Sequence, residues 1–208
     1  MKRLHGVVAS AALLALLAGC GSAPKEQFYT LADPAPKTTG SLSGLEYGVA
    51  IGPVYVPDSV DRPQFVLRTP GAEVRIAEQV RWAEPLKEGI ARAVATNLAH
   101  FLNNARVSPR PYGAGGDADY RVVLDVQRFD STLGESATLD VMWTVRRTRD
   151  GEQQTGRVRV QEAVSGAGYE ALVAAHGRAL GAVSRDIAEA IRAARQRDVA
   201  AAPATPRP

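Results

Sequence analysis

Apolar and polar positions change period several times along the chain, and each change marks an element. Leu86, Ile90, Val94, Leu98 and Leu102 recur four apart, with Ala93 and Phe101 beside them and Lys87, Glu88 and Arg92 turned away. That spacing predicts an amphipathic helix beginning near Glu84, with Pro85 in its first turn, where a missing amide donor costs little. Asn103-Asn104 closes it. A second helix is predicted from about Tyr169 to Arg195. Leu172, Val173, Leu180, Val183, Ile187 and Ile191 form its stripe, and Arg192, Arg195 and Arg197 give it a basic end, which suits a helix C-terminus.

Between these stretches the period falls to two. From Asp119 to Phe129, Val122, Leu124 and Val126 alternate with Arg121, Val123, Asp125 and Gln127, the pattern of a half-buried strand. Ala137, Leu139, Val141, Trp143 and Val145 make a second strand, Asp150-Gly151 signals a two-residue hairpin, and Val158, Val160 and the stretch to Val164 make a third. Three consecutive antiparallel strands follow. Upstream, Phe28 to Leu31 has strand composition, and Gly48 to Val56 reads as a strand in which Gly52-Pro53 marks a bulge or an edge position. Phe65 to Arg68 and Val74 to Ile76 form a hairpin about Pro70-Gly71, and Arg106 to Ser108 is a short strand. The fold class expected is α+β, a mostly antiparallel sheet with two amphipathic helices packed on one face.

The two ends of the chain follow other patterns. Met1, Lys2 and Arg3 precede an apolar run from Val7 to Ala18, about a dozen residues, short of the roughly 20 that a helix needs to cross a bilayer. The run ends in "LLALLAGCGS", positions 13 to 22, where Leu17-Ala18-Gly19-Cys20 resembles the lipobox of bacterial lipoproteins. In such signals the cysteine sulfur receives a diacylglycerol, the peptide is cut before it, and the new amino group is usually acylated too. Two or three acyl chains make attachment durable where one is marginal. Cys20 is the lone cysteine, which leaves no intramolecular disulfide to form. Gly21 rather than aspartate follows it, which by the best-known sorting rule favours the periplasmic face of the outer membrane. The expected layout is a signal peptide over residues 1–19, a lipidated tether over 20–27, one domain over 28–195 and a disordered Pro-rich tail over 196–208.

Charge narrows the function classes. The chain has 25 basic and 22 acidic side chains, and removing Lys2 and Arg3 with the signal leaves a near balance. No basic stripe or aromatic-basic interleaving is present, so nucleic acid is not the expected partner. No Gly-x-Ser-x-Gly occurs, and outside the signal only His100 and His176 remain, both on predicted helices. His176 sits on or beside the apolar stripe, where a packed or partly exposed imidazole is expected. Metal ligands are too few for a structural zinc site. Gly166-Ala167-Gly168-Tyr169-Glu170-Ala171 fits the loose dinucleotide fingerprint, but no second parallel strand follows the helix, so no cofactor is expected. The loop "VPDSVDRPQFVLR", Val56 to Arg68, gathers Asp61, Arg62 and Gln64 around Pro63. It reads equally as partner recognition and as a solvated turn with a local Asp-Arg pair.

Six segments in order, "FYTL", "VDRPQFVLR", "RWAEPLKEGIARAVATNL", "ADYRVVLDVQRFD", "ATLDVMWTV" and "YEALVAAHGRALGAVSRDIAEAI", resemble the PqiC/YmbA-type auxiliary lipoproteins of ABC-type transport systems. The chain departs from that pattern at Ser59-Val60, where an aromatic-leucine pair is usual, and at Phe65, where an aliphatic is usual. The resemblance implies a non-enzymatic outer-membrane component working with a periplasm-spanning protein of mammalian-cell-entry (MCE) domains and an inner-membrane permease, in lipid movement between membranes and envelope integrity. Asp61, Arg62, Pro63 and Gln64 are then the expected docking contacts, and copies of the chain are expected to close symmetrically around the conduit. A periplasmic envelope-modifying hydrolase and a purely structural lipoprotein are the competing readings.

Overall fold

The longest strand organises the molecule. In the computed structural model, which describes residues 25–31, 46–103, 105–110 and 118–201, β6 (Tyr120–Thr132) is paired along its whole length by β7 (Ser136–Arg147). A strand has two edges, so β2 (Tyr47–Tyr55) and β3 (Gln64–Arg68) share the other one. β2 lies against Tyr120 to Asp125, and β3 meets β6 at Ser131. Outside β2 lies β5 (Ala105–Ser108), and outside β3 lie β4 (Val74–Trp82) and then β1 (Gln27–Tyr29). On the far side β7 carries β8 (Gln153–Ala163). Among the described residues eight strands form one mixed sheet.

The expected α+β class holds, and both helices lie on one face. α1 (Leu86–Phe101) and α2 (Gly168–Ala201) pack on each other and on the strands beneath them. Strand direction is the correction. β1–β4, β2–β5, β2–β6 and β3–β6 are parallel, and only β3–β4, β6–β7 and β7–β8 are antiparallel. Alternation specifies which face a residue takes but not which way its strand runs. The hairpins, whose short turns force reversal, are the pairings it predicts correctly.

Local chemistry accounts for the boundaries. Pro85 is the N-cap of α1 with ψ of 137°, and Glu84 Oε2 accepts from Arg92 Nη2 at 2.5 Å across the first turns. Leu102 N–H returns to Leu98 O at 2.8 Å, and Asn103 follows at φ of 34°, a left-handed position that asparagine tolerates. In β2 the register shifts between Ile51 and Val54, the bulge expected at Gly52-Pro53, although β2 is an inner strand rather than an edge. The β7–β8 connection is longer than the two-residue turn expected. Arg147 N–H donates to Glu152 O at 2.9 Å, leaving 148–151 as the loop. Asp150 Oδ1 props it open by accepting from Arg147 Nε at 2.9 Å and Glu152 N–H at 3.1 Å.

α2 runs to Ala201, past the Arg195 end expected from the sequence. Its extension is tied down by Asp198, which accepts from Tyr120 Oη at 3.2 Å, from Arg149 Nη2 at 2.5 Å and from Arg147. The basic residues do not lie in the last turn of α2 but bond neighbouring elements: Arg192 donates to Phe101 O at the end of α1, Arg197 pairs with Glu152, and Arg195 lies 3.9 Å above the Tyr47 ring and reaches Glu46 at 2.7 Å. The signal peptide, Cys20, most of the tether and residues 202–208 of the tail lie outside the described residues.

The core fills the layer between helices and sheet. Ile90, Val94 and Leu98 of α1 and Leu172, Leu180, Val183, Ile187 and Ile191 of α2 are buried against Ile51, Val122, Leu124, Leu139 and Val141. Small residues let the helices approach, and where they cross Asn97 Nδ2 donates to Ser184 Oγ at 3.3 Å. Under the sheet's other end Phe65 stacks on Trp82, centroids 3.9 Å apart at 22°, with Tyr29 and Tyr169 edge-on or tilted beside them.

Candidate docking surface

The loop between β2 and β3 is ordered by its own backbone. Val60 and Asp61 N–H groups donate to Pro57 O at 3.0 and 3.2 Å, and Arg62 N–H donates to Val60 O at 2.9 Å. Val60 is a buried anchor at 8% exposure. The loop is fastened to the end of β4 and the start of α1: Trp82 N–H donates to Pro63 O at 2.8 Å, and Lys87 Nζ lies 2.6 Å from Asp61 Oδ2. The hydrogen bond to Asp61 raises the Lys87 pKa above the ordinary lysine value.

Asp61, Arg62 and Pro63 are thereby exposed on one rim of a shallow groove of about 360 Å³, whose other wall is Trp82 to Leu86. Gln64 does not join them; it opens β3, half-buried and in register with Arg81. The local Asp-Arg pair does not form, because the carboxylate is taken by Lys87, and among the described residues no carboxylate pairs with Arg62. Arg62 is thus a cation held on a rigid loop. Lys87, Trp82 and Glu84 complete the surface. Sequence reasoning placed Lys87 on the outer face of its helix, but nothing in the spacing links it to a loop two strands earlier.

A second groove, about 670 Å³, runs between β1, α1 and α2, with Phe28, Leu31, Asn97, Val173 and Gly177 among its walls. Phe28 is 58% exposed. No sequence motif pointed to it.

His176 is packed, one of the two environments the sequence allowed. Its ring stacks on Phe129 at 4.1 Å and 3°, and Nε2 lies 2.8 Å from Ser131 Oγ. A serine within reach of an imidazole suggests a nucleophile and its base. Burial closes that route, since His176 is 0% and Ser131 2% exposed, and among the described residues Nδ1 has no partner to orient the ring. Burial also pushes the imidazole pKa down to about 3. On the opposite face of the sheet Asp140 accepts from Arg157 and Arg159, and these bonds hold its pKa at about 2.

The model of the family described as ABC-type transport auxiliary lipoprotein component matches residues 29–188, from β1 to well within α2. Among solved structures, a Xanthomonas campestris protein of the DUF330 family is similar over 83% of this chain and 98% of its own, at 18% identity and a TM-score of 0.62. An uncharacterised protein matches over 81% of this chain and 99% of its own, at 19% identity and a TM-score of 0.65. At those identities the likeness is one of fold. No curated protein is similar enough in sequence to count as a relative. The family match takes in the loop, the helix that braces it and most of the core, and the chain belongs to the ABC-type transport auxiliary lipoprotein component family.

Proposed function

We propose that the protein is an outer-membrane-anchored docking component of an MCE-type intermembrane lipid transport system. In this reading Cys20 carries the acyl chains and holds the domain at the periplasmic face of the outer membrane. The tether from Gly21 to Gln27 reaches at most about 25 Å, so the domain stays close to the bilayer. Confinement to that layer raises its effective concentration for a partner spanning the periplasm. The loop of Asp61, Arg62, Pro63 and Gln64 receives the end of the MCE-domain protein, whose other end meets an inner-membrane permease, and several copies close around the conduit.

The observation that carries this reading is the family match over residues 29–188. The loop's geometry supports it: a rigid backbone, an exposed groove, and an arginine with no carboxylate partner among the described residues. An arginine held this way keeps its planar donor set for a partner carboxylate. Crosslinking in cells followed by purification of the lipoprotein tests it. Recovery of an MCE-domain protein is expected, and Arg62→Glu should reduce that recovery while leaving the fold intact. Recovery of neither an MCE-domain protein nor a permease would overturn the reading. Cys20→Ala should accumulate unprocessed precursor without acyl label; continued acylation would refute the anchor.

A further inference from the structure

No strand among the described residues lies on the outer edge of β8. Among the described residues β8 pairs with β7 alone, in unbroken register over its 11 residues and without a proline. The phase of that ladder is set at both ends: Arg147 N–H donates to Glu152 O, and Val164 N–H donates to Glu135 O, each at 2.9 Å. Hydrogen-bonded pairs alternate along antiparallel strands. Gln154, Gly156, Val158, Val160 and Glu162 therefore spend their backbone groups on β7, and Gln153, Thr155, Arg157, Arg159, Gln161 and Ala163 turn theirs outward. The carbonyl of Ala163 confirms the phase by accepting from Arg178 Nη2 at 2.6 Å.

The same outward residues are the exposed ones of the strand, and two are arginines. Arg157 and Arg159 share a single carboxylate, Asp140: Arg157 through Nε and Nη2 at 2.8 and 2.7 Å, Arg159 through Nε at 2.9 Å. Two guanidiniums on one carboxylate leave a positive charge at the edge. A second cluster on this face repeats the ratio, with Arg68 and Arg128 on Asp130. Natural edge strands are ordinarily short, bulged, interrupted, covered or charged; among the described residues β8 has the charge of Arg157 and Arg159 and, at its last residue, the cover of Arg178 on the Ala163 carbonyl, so the edge bars a cationic strand and leaves an acidic one the better fit.

We propose that this edge receives an extended acidic segment of a partner protein as an added strand. Unpaired backbone gives such a segment its affinity, and the side chains at alternate positions give it specificity. Carboxylates two residues apart on the segment would face Arg157 and Arg159, with an apolar residue between them beside half-buried Val158. A second copy of this chain fits less well. Full-length antiparallel pairing of β8 with itself, centred on Val158, sets Arg157 opposite Arg159 twice, and like charges directly opposed repel. The surface is separate from the Asp61 to Gln64 loop, so it does not depend on the docking role given to that loop.

The test uses the full chain in detergent micelles and two short labelled peptides, one alternating glutamate and valine, the other lysine and valine. The acidic peptide should bind and the basic one should not. Arg159→Ala, which leaves Asp140 held by Arg157, should weaken binding about tenfold, and so should Thr155→Pro, which removes an outward N–H and no bond to β7. In the unsubstituted chain the peptide should slow amide exchange at Thr155, Arg157 and Arg159 while leaving Gly156 and Val158 unchanged. That readout stands even if the proline variant fails to fold. Equal binding of both peptides, no binding of the acidic one, or protection elsewhere overturns the proposal. Self-association abolished by Thr155→Pro would also overturn it, by giving the edge to a second copy.

Discussion

Trp143 on β7 occupies the space that a side chain at Gly156 on β8 would need. A Cβ there would lie 2.2 Å from Cζ2 of the indole, and the two residues are direct partners in the ladder. The indole is held where it is by α2, since Nε1 donates to Asp186 Oδ2 at 2.8 Å. Gly156→Ala should therefore destabilise the fold by about 1–3 kcal/mol through overpacking, read as a lower urea midpoint. Adding Trp143→Phe, which shortens the ring and gives up the bond to Asp186, should recover part of that loss. A single-site cost with no recovery would show that the two residues do not compete for space.

Stability should fall as pH drops from about 6.5 toward 3 because of His176. Burial holds its folded pKa near 3, against 6.5 for the ordinary imidazole. Within that window the unfolded chain binds a proton that the folded chain refuses, so unfolding is favoured as acid is added. The slope approaches about 1.4 kcal/mol per pH unit. Asp140 and Asp150, whose pKa values are lowered from 3.8 to about 2, add to the loss at the acid end of that range and beyond it, as pH falls under 4. Denaturant unfolding between pH 5 and pH 6.5, about the interval where histidine alone titrates, should show the slope in the native sequence and lose it in His176→Gln.

Phe65 should be one of the costliest core positions. It is 1% exposed, stacks on Trp82 and meets Tyr29 and Tyr169, so one ring joins β3, β4, β1 and α2. Phe65→Ala should cost about 3–5 kcal/mol, and Phe65→Leu, which leaves a smaller cavity, distinctly less. Chemical denaturation of the two variants side by side checks the order.

Asp198→Asn should loosen the end of α2. Three donors, on Tyr120, Arg147 and Arg149, converge on this carboxylate. An amide oxygen accepts such bonds less strongly than a carboxylate. Amide exchange of the helix beyond Arg195 should rise by about tenfold while that of residues near Leu180 stays unchanged.

The elements were largely legible in the sequence because each has one dominant period. Leu86 to Leu98 could only bury its fourfold repeat as a helix, and Val122 to Val126 could only bury alternate residues as a strand. Gly52-Pro53 announced the interruption of β2 because proline has no ladder donor to give. What stayed hidden depends on pairs distant in sequence. Nothing in residues 47–55 says that β2 runs parallel to β6, since direction is decided by the path of the intervening chain. Asp61 could be placed on a polar loop, but not its Lys87 partner, and nothing in the residues around Gly156 announces that Trp143 fills the space above it.

β1 has a mechanical consequence. Its three rungs to β4, Gln27 with Val80, Phe28 with Arg81 and Tyr29 with Trp82, lie in parallel, reinforced by Ala83 N–H on Tyr29 O at 2.8 Å and by Arg81 to Glu26 at 2.9 Å. A pull entering at Lys25 along the strand axis therefore loads these bonds in shear, together, instead of peeling them open one after another. Force applied at the N-terminal side of the domain would pass to β4 and, through Phe65 and Trp82, into the core, so a load would enter the sheet through the shortest of its described strands.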